Sequence, residues 1–296
     1  MAANQPAFGQ EVGAGLASEE LPAYAPMLAA YHRACARELR QIIADLPLRS
    51  GDRVLDLACG DGTYSLWLAE RVAPTGSVIG VDIAPAYLDV ARRQAAASPY
   101  GQFVRFQIGD VRGLPFADDE FDLVWCAHSL YSLPDPLAAL REMRRVTRPG
   151  GVVAVLENDT LHHLLLPWPP DLELAVRAAQ LRALDQAAAP TARFYIGRFL
   201  CHAFGAAGLE RCRIATYTIE RHAPLSADEQ LFLLHYLRDL RERAAEHLDA
   251  TQLQRLDRLR DPAAEESLLA DPHLFLAHLE IVALGRKPQA AAAAQA

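Results

Sequence analysis

The sequence predicts an α/β fold organised around a parallel sheet, and three observations predict it. The first is the stretch "DRVLDLACGDGTYSLWLAERVAPTGSVIGVD" from Asp52 to Asp82. Val54, Leu55 and Leu57 form an apolar run of strand length, and Gly60 and Gly62 follow at once. A side chain at those glycines would block close approach to a ligand. Thr63 to Val72 then carries Leu66, Trp67 and Ala69 at helical spacing, and Val78, Ile79 and Val81 form a second strand that ends in Asp82. This is one βαβ unit with a nucleotide-type site at the carboxyl ends of its strands. The second observation is that the alternation continues. Phe103 to Gln107 reads as a third strand ending near Asp110, and Phe121 to Cys126 as a fourth. Pro134-Asp135-Pro136 opens a helix with an Asp cap and a proline in its first turn, and that helix runs to about Val146. Pro149-Gly150-Gly151 turns into a fifth strand, Val152 to Leu156. The third is composition: 51% of 296 residues are hydrophobic, enough for a large core.

The elements outside this unit follow in order. An N-terminal helix is expected over about Tyr24 to Leu46, where Met27, Leu28, Tyr31, Cys35 and Leu39 recur at helical spacing. Between the fifth and sixth strands, Asn158 to Gly208 breaks at Pro167 to Pro170. Asp171 then caps a helix to about Ala188, and a second helix returns to a stop at Gly208. The strand-end position makes Glu157, Asp159, His162 and His163 candidates for a substrate pocket. Strand six is about Arg211 to Arg221. A helix pair follows, opened by the capping-box pattern Ser226 to Glu229. Strand seven lies near 273 to 287, where Leu274, Leu276 and His278 alternate with Phe275, Ala277 and Leu279, so that both faces look covered. Residues 1–20 read as a mobile tail and 288–296 as a disordered one.

Composition narrows the chemistry. The net charge is −8, with 29 basic and 37 acidic residues, and the arginine-dense runs 141 to 148 and 237 to 248 are interleaved with acidic or apolar residues. A nucleic-acid partner needs a basic face, so none is expected. No apolar run reaches the roughly 18 residues that a membrane span needs, and the N-terminus has neither the basic start nor the apolar core of a signal peptide. The expected setting is cytoplasmic, with no membrane partner. Five cysteines at 35, 59, 126, 201 and 212 form no close pair in sequence, which argues against zinc and against a disulfide framework. Cys59 and Cys126 read as small buried residues rather than nucleophiles. The helix Ser226 to Leu248 suits a homodimer face as well as a solvated one.

Two cofactors compete for the βαβ unit. NAD calls for a third glycine beside its pyrophosphate, and the residue three past Gly62 is Ser65. S-adenosylmethionine has no diphosphate and does not need that glycine. Asp82 suits the ribose hydroxyls of either, so the acid alone does not decide.

The second half of the unit decides. The pieces "VLDLACGDGT", "GVDIAPAYLDVAR", "GDVRGLPFADDEFDLV" and "ALREMRRVTRPGG" resemble the class I S-adenosylmethionine-dependent methyltransferases, in that family's order and at its spacing, over about residues 50 to 157. The nearest group holds the quinone C-methyltransferases and many small-molecule methyltransferases. The resemblance implies a Rossmann-like α/β fold with a seven-stranded, mostly parallel sheet of order 3-2-1-4-5-7-6. Helices cover both faces, and helical insertions form a substrate lid. It implies one domain over 21–287, with its cofactor core at 48–157 and lid insertions at 158–208 and 224–270. One departure is visible: many members have Gly where this chain has Ala58. Binding is expected to survive, with the loop slightly further from the ligand.

The resemblance also assigns roles. Asp56, Ala58, Gly60 and Gly62 line the floor under the methionine part. Asp82 accepts from both ribose hydroxyls, a charge-assisted pair. Ile83 and Tyr87 flank the adenine, Asp110 accepts from its amine, and the Val111 amide donates to a ring nitrogen. Ala127 and His128, just past strand four, face the sulfonium. Each role has a plainer rival: Asp56 as a turn cap, Asp82 as a helix cap before Pro85, Asp110 as a turn carboxylate, Tyr87 as core packing. For catalysis, His128 is the first candidate base, followed by His162 and His163 and then Asp159; a lone histidine is more often structural. The acceptor is expected to be a small hydrophobic or aromatic molecule, methylated on oxygen, nitrogen or carbon. A quinone-precursor C-methyltransferase is the same-class rival, and a non-catalytic S-adenosylmethionine-binding sensor or scaffold is the rival of another class.

Overall fold

A computed structural model describes residues 20–160, 164–185 and 196–289. Its centre is β1 (Arg53–Leu57), which pairs in parallel with β2 (Ser77–Asp82) on one side and β4 (Phe121–Ala127) on the other. β3 (Val104–Ile108) extends the sheet beyond β2, and β5 (Thr147–Glu157) extends it beyond β4, both parallel. β8 (Phe275–Arg286) then runs antiparallel to β5, and β7 (Glu210–His222) runs antiparallel to β8. The sheet order is the expected one, with an eighth strand added: β6 (Leu164–Leu165) pairs, among the described residues, with His278 and Ala277 of β8.

Alternation along the strands feeds two cores. Val54, Val78 and Trp125 pack on one side with α2 (Ala36–Asp45) and α3 (Thr63–Val72). Leu55, Leu57, Val124 and Cys126 pack on the other side with α5 (Pro136–Val146) and α7 (Ile196–Ala206). α4 (Pro85–Ala96) links β2 to β3. A sheet buried on both faces explains the near-continuous apolar strands. The α5 helix begins where its cap predicts, with the Asp135 carboxylate accepting from the Ala138 amide.

A third core joins the two insertions. Trp168, Leu172 and Val176 of the first pack with Leu233, Leu237 and Leu240 of the second. The helices concerned are α6 (Pro170–Asp185), α8 (Ala227–Ala244) and α9 (Ala250–Arg260). Capping boxes open α8 (Ser226 with Glu229) and α9 (Asp249 with Gln252), each contributing about 1 kcal/mol.

Three expectations need correction. The N-terminal helix is two helices, α1 (Ala25–Ala34) and α2, broken at Cys35, whose φ of −108° and ψ of 11° leave the helical region. The break lets α1 turn away to pack on α8, where Arg33 makes a forked pair with Asp228 at 2.7 to 3.0 Å. The fifth strand begins at Thr147 rather than Val152, because the Pro149-Gly150-Gly151 turn is a bulge within it. And Cys201 of α7 is bonded to Cys212 of β7, their Cα atoms 5.6 Å apart, where no disulfide was expected. The tail residues 1–19 and 290–296 lie outside the described residues.

Candidate active site

The β1–α3 loop is shaped by left-handed residues: Ala58 at φ 56°, Gly60 at 52° and Gly62 at 79°. Asp82, at the end of β2 and 9% exposed, clasps it. One carboxylate oxygen accepts from the Gly60 amide at 2.8 Å, the other from the Ala84 amide at 2.9 Å. Asp82 does not cap α4, whose N-cap is Ala84; it accepts from that residue's own amide. Each oxygen keeps a further lone pair for a ligand hydroxyl.

Gly62 is also constrained by packing. A Cβ there would meet Ala91 Cβ and Phe106 at 2.8 Å, so the absent side chain serves the contact of α3 with α4 and β3. Gly60 is the open one; its nearest neighbour would be Leu28 of α1 at 4.0 Å.

Three buried carboxylates surround this loop. Asp56 accepts from Ser65 Oγ at 2.5 Å. Burial pushes its pKa up to about 7 against that hydrogen bond, with Asp82 and Asp61 adding to the rise. Burial also raises Asp82, although the amides of Ala84 and Gly60 oppose it. Asp61 accepts from the Thr63 amide at 3.0 Å and stands 3.3 Å from His32 Nδ1. Such a cluster is short of positive charge, and a sulfonium supplies one. The residues present thus fit S-adenosylmethionine. Burial holds the Cys59 and Cys126 thiols well above the usual range, as packing residues require.

On the adenine side the residues are brought to adjacent strand ends but not all freed. Ile83 and Val111 are half-buried, and the Gly109 amide donates to the Asp82 carbonyl at 3.0 Å. Asp110 is gripped by Arg112, whose side chain engages both carboxylate oxygens. Tyr87 is 5% exposed, with its ring 6.3 Å from that of Tyr24. With Asp61, Val90 and Gln94 it lines a cleft of about 470 Å³ against Pro22 and Pro26, at the N-terminal end of α1.

Beyond Ala127, His128 takes a left-handed backbone, φ 47°, a conformation that costs a non-glycine residue roughly 1 kcal/mol or more. Glu157, fully buried, supports it by accepting from the amides of Ser129, Leu130 and Tyr131 at 2.9, 2.6 and 3.4 Å. Burial pushes Glu157 up to about 7, against the charge of His128 and those three amides. Glu157 is therefore a support beneath the site rather than a pocket wall. Asp159 is paired with Arg198. His162 and His163 lie outside the described residues.

Sequence reasoning missed the partner of His128. His128 Nε2 is 2.8 Å from Glu280 of β8, and Tyr31 of α1 donates to the same carboxylate at 2.5 Å. Polar residues at 278 and 280, alternating on one side of a strand otherwise buried, were the available signal.

Known proteins resemble this chain in sequence over part of its length and in fold. A family described as a methyltransferase domain matches residues 55–155. The demethylmenaquinone methyltransferase of Symbiobacterium thermophilum is 44% identical over 121 residues, covering 40% of this chain and 47% of that protein. Its counterpart in Staphylococcus aureus (strain JH9) is 38% identical over 119 residues, covering 40% and 48%. The chain thus spans about half the length of the curated relatives it matches. The YcgJ protein of Bacillus subtilis shares the fold, at 20% identity and a TM-score of 0.54, over 86% of this chain and 100% of that one. The family match of residues 55–155 falls on the segment that builds the glycine loop and the Asp82 clasp, and in that segment the chain is similar to a methyltransferase domain.

Proposed function

We propose that the protein is an S-adenosylmethionine-dependent methyltransferase acting on a small, hydrophobic or aromatic acceptor. The observation that carries this is the Asp82-clasped glycine loop, ringed by buried carboxylates, beside a histidine at the end of β4. Asp56, Ala58, Gly60 and Gly62 would floor the cofactor, and Asp82 would take its ribose hydroxyls. Ile83, Tyr87, Asp110 and Val111 would hold its adenine, and Ala127 and His128 would border its sulfonium. When bound, S-adenosylmethionine supplies a methyl group already activated for in-line displacement. The protein's own work is then to position the acceptor, exclude water and receive a proton. His128 is the candidate for the proton. α1 and the insertions 158–208 and 224–270 would roof the site, as part of one domain over 21–287.

The net charge of −8 favours a small acceptor over a nucleic acid. Among the described residues no helix is long and apolar enough to cross a membrane. A cytoplasmic setting belongs to the same proposal, and there the Cys201–Cys212 pair would be held reduced. A second reading, C-methylation of a quinone precursor, is favoured by the names of the curated relatives, which match 40% of this chain.

Calorimetric titration with S-adenosylmethionine and S-adenosylhomocysteine tests the proposal. Micromolar binding to the wild type, lost in Asp82→Ala, is expected, followed by methyl transfer to a member of a phenol, amine and quinol panel. No binding by the folded wild type overturns it, and binding without transfer to any acceptor leaves the sensor reading in its place.

A further inference from the structure

β8 enters the sheet from the end where the parallel strands finish, because it runs antiparallel to β5 with Ile281 opposite Glu157. That register carries Glu280, fully buried, to the residue just past β4. One of its oxygens meets His128 Nε2 at 2.8 Å; the other accepts from Tyr31 and lies 3.3 Å from His278 Nδ1. An unpaired carboxylate at this depth costs several kcal/mol, and even a paired one is often no better than an apolar residue of the same size. Stability alone therefore does not account for an acid here. Nothing in the glycine loop or the Asp82 clasp uses it.

The arrangement has a chemical consequence. A carboxylate can only accept, so neutral His128 must carry its proton on Nε2 and present an unprotonated Nδ1. His128 Nδ1 has no hydrogen bond to the described residues. Resting on the methyl-transfer reading above, we propose that Glu280 is the positioning residue of His128: it fixes the imidazole's orientation and tautomer, so that Nδ1 can receive the proton that the acceptor loses. The proton leaves the acceptor's nucleophilic atom as that atom's electron pair bonds to the methyl carbon, and the resulting imidazolium is balanced by Glu280. Tyr31 ties the same carboxylate to α1, so a closed α1 and an oriented His128 occur together.

The surrounding groups support this division of roles. Burial works against charge on His128, but the charge and hydrogen bond of Glu280, helped by Glu157, outweigh it and raise its pKa. His278 is pushed down by its burial, against the charge of Glu280. The phenols of Tyr31 on α1 and Tyr64 on α3 are held well above their usual range by burial and by Glu280. Burial opposes ionisation of Glu280 itself, yet the two histidines and Tyr31 bring it down to about 2.

Two readouts test the proposal, and the first needs neither cofactor nor acceptor. Nitrogen chemical shifts of His128, recorded against pH, should show the Nε2-protonated tautomer in the wild type. The titration midpoint should fall by one unit or more, a tenfold loss of proton affinity, in Glu280→Gln. The acid limb of kcat/KM for an acceptor found in the panel should move to lower pH by the same amount, while S-adenosylmethionine binding is retained. Tyr31→Phe, which keeps the Glu280–His128 contact, should leave the midpoint near its wild-type value. An Nδ1-protonated wild type, or an unchanged midpoint in a folded Glu280→Gln, overturns the proposal. If that variant does not fold, the wild-type tautomer still decides. Failure of cofactor binding by the wild type would sink the methyltransferase reading while leaving the tautomer result standing.

Discussion

Nδ1 of His32 stands 3.3 Å from the Asp61 carboxylate, and both side chains are buried. α1 thereby rests on the glycine loop itself, through the acid that lies between Gly60 and Gly62. Burial pushes Asp61 up, but the contact with His32 and the Thr63 amide bring it below its ordinary value. The placement of α1 and the shape of the β1–α3 loop are therefore linked through this side-chain pair.

Replacing His32 with Ala should expose that coupling. Asp61 would lose its side-chain partner at a buried site, a cost of about 1–3 kcal/mol. The variant should melt several degrees lower than the wild type and bind S-adenosylmethionine about tenfold more weakly by calorimetry. Unchanged affinity would mean that α1 does not act on the cofactor loop.

The loop's backbone makes two opposite demands. Gly62→Ala places a Cβ 2.8 Å from Ala91 and Phe106 at a positive φ, so strain and overlap combine to cost about 2–4 kcal/mol. Ala58→Gly relieves a φ of 56° at a half-buried position, and should be neutral or stabilising by up to about 1 kcal/mol. Urea unfolding of the two variants checks the signs; a destabilised Ala58→Gly would show that the Ala58 methyl packs usefully.

The strand–turn–helix from Val54 to Asp82 was legible because apolar runs, glycines and a strand-end acid are local signals. The α3 boundaries, Thr63 to Val72, match the expected ones. What escaped was non-local. The helix break at Cys35 carries no proline or glycine, and beyond it α1 packs on α8, far away in sequence. Glu280 lies 152 residues from His128, and only the antiparallel register of β8 brings them together. Cys201 and Cys212 are joined by the return of α7 onto the sheet, which spacing in sequence does not reveal.

The ring of carboxylates should show in ligand preference. S-adenosylmethionine carries a positive sulfonium and S-adenosylhomocysteine does not. The former should bind more tightly at pH 8, where Asp56, with its pKa near 7, is mostly ionised. At pH 6 Asp56 is mostly protonated, and the preference should shrink about two- to fivefold. A ratio of dissociation constants that is constant from pH 6 to 8 would show that this acid does not sense the sulfonium.

Glu157 makes stability depend on pH in a direction that can be stated in advance. Burial holds its pKa at about 7, above its ordinary value of 4.5, so the fold prefers the protonated form. Its contribution is complete below about 4.5 and is lost as pH rises through 7. Asp56 acts in the same direction. Glu280, brought down to about 2, acts oppositely: its contribution is present above 4.5 and lost as pH falls towards 2. Between pH 5 and 8 the wild type should therefore lose stability on account of Glu157, on the order of 2 kcal/mol. Glu157→Gln keeps an oxygen for the amides of Ser129, Leu130 and Tyr131 and cannot ionise. The variant should match the wild type within about 1 kcal/mol at pH 5 and overtake it at pH 8. Thermal melts of both proteins across this range provide the check. A gap between them that does not change with pH would mean that Glu157 stays ionised throughout, and that the three amides outweigh its burial.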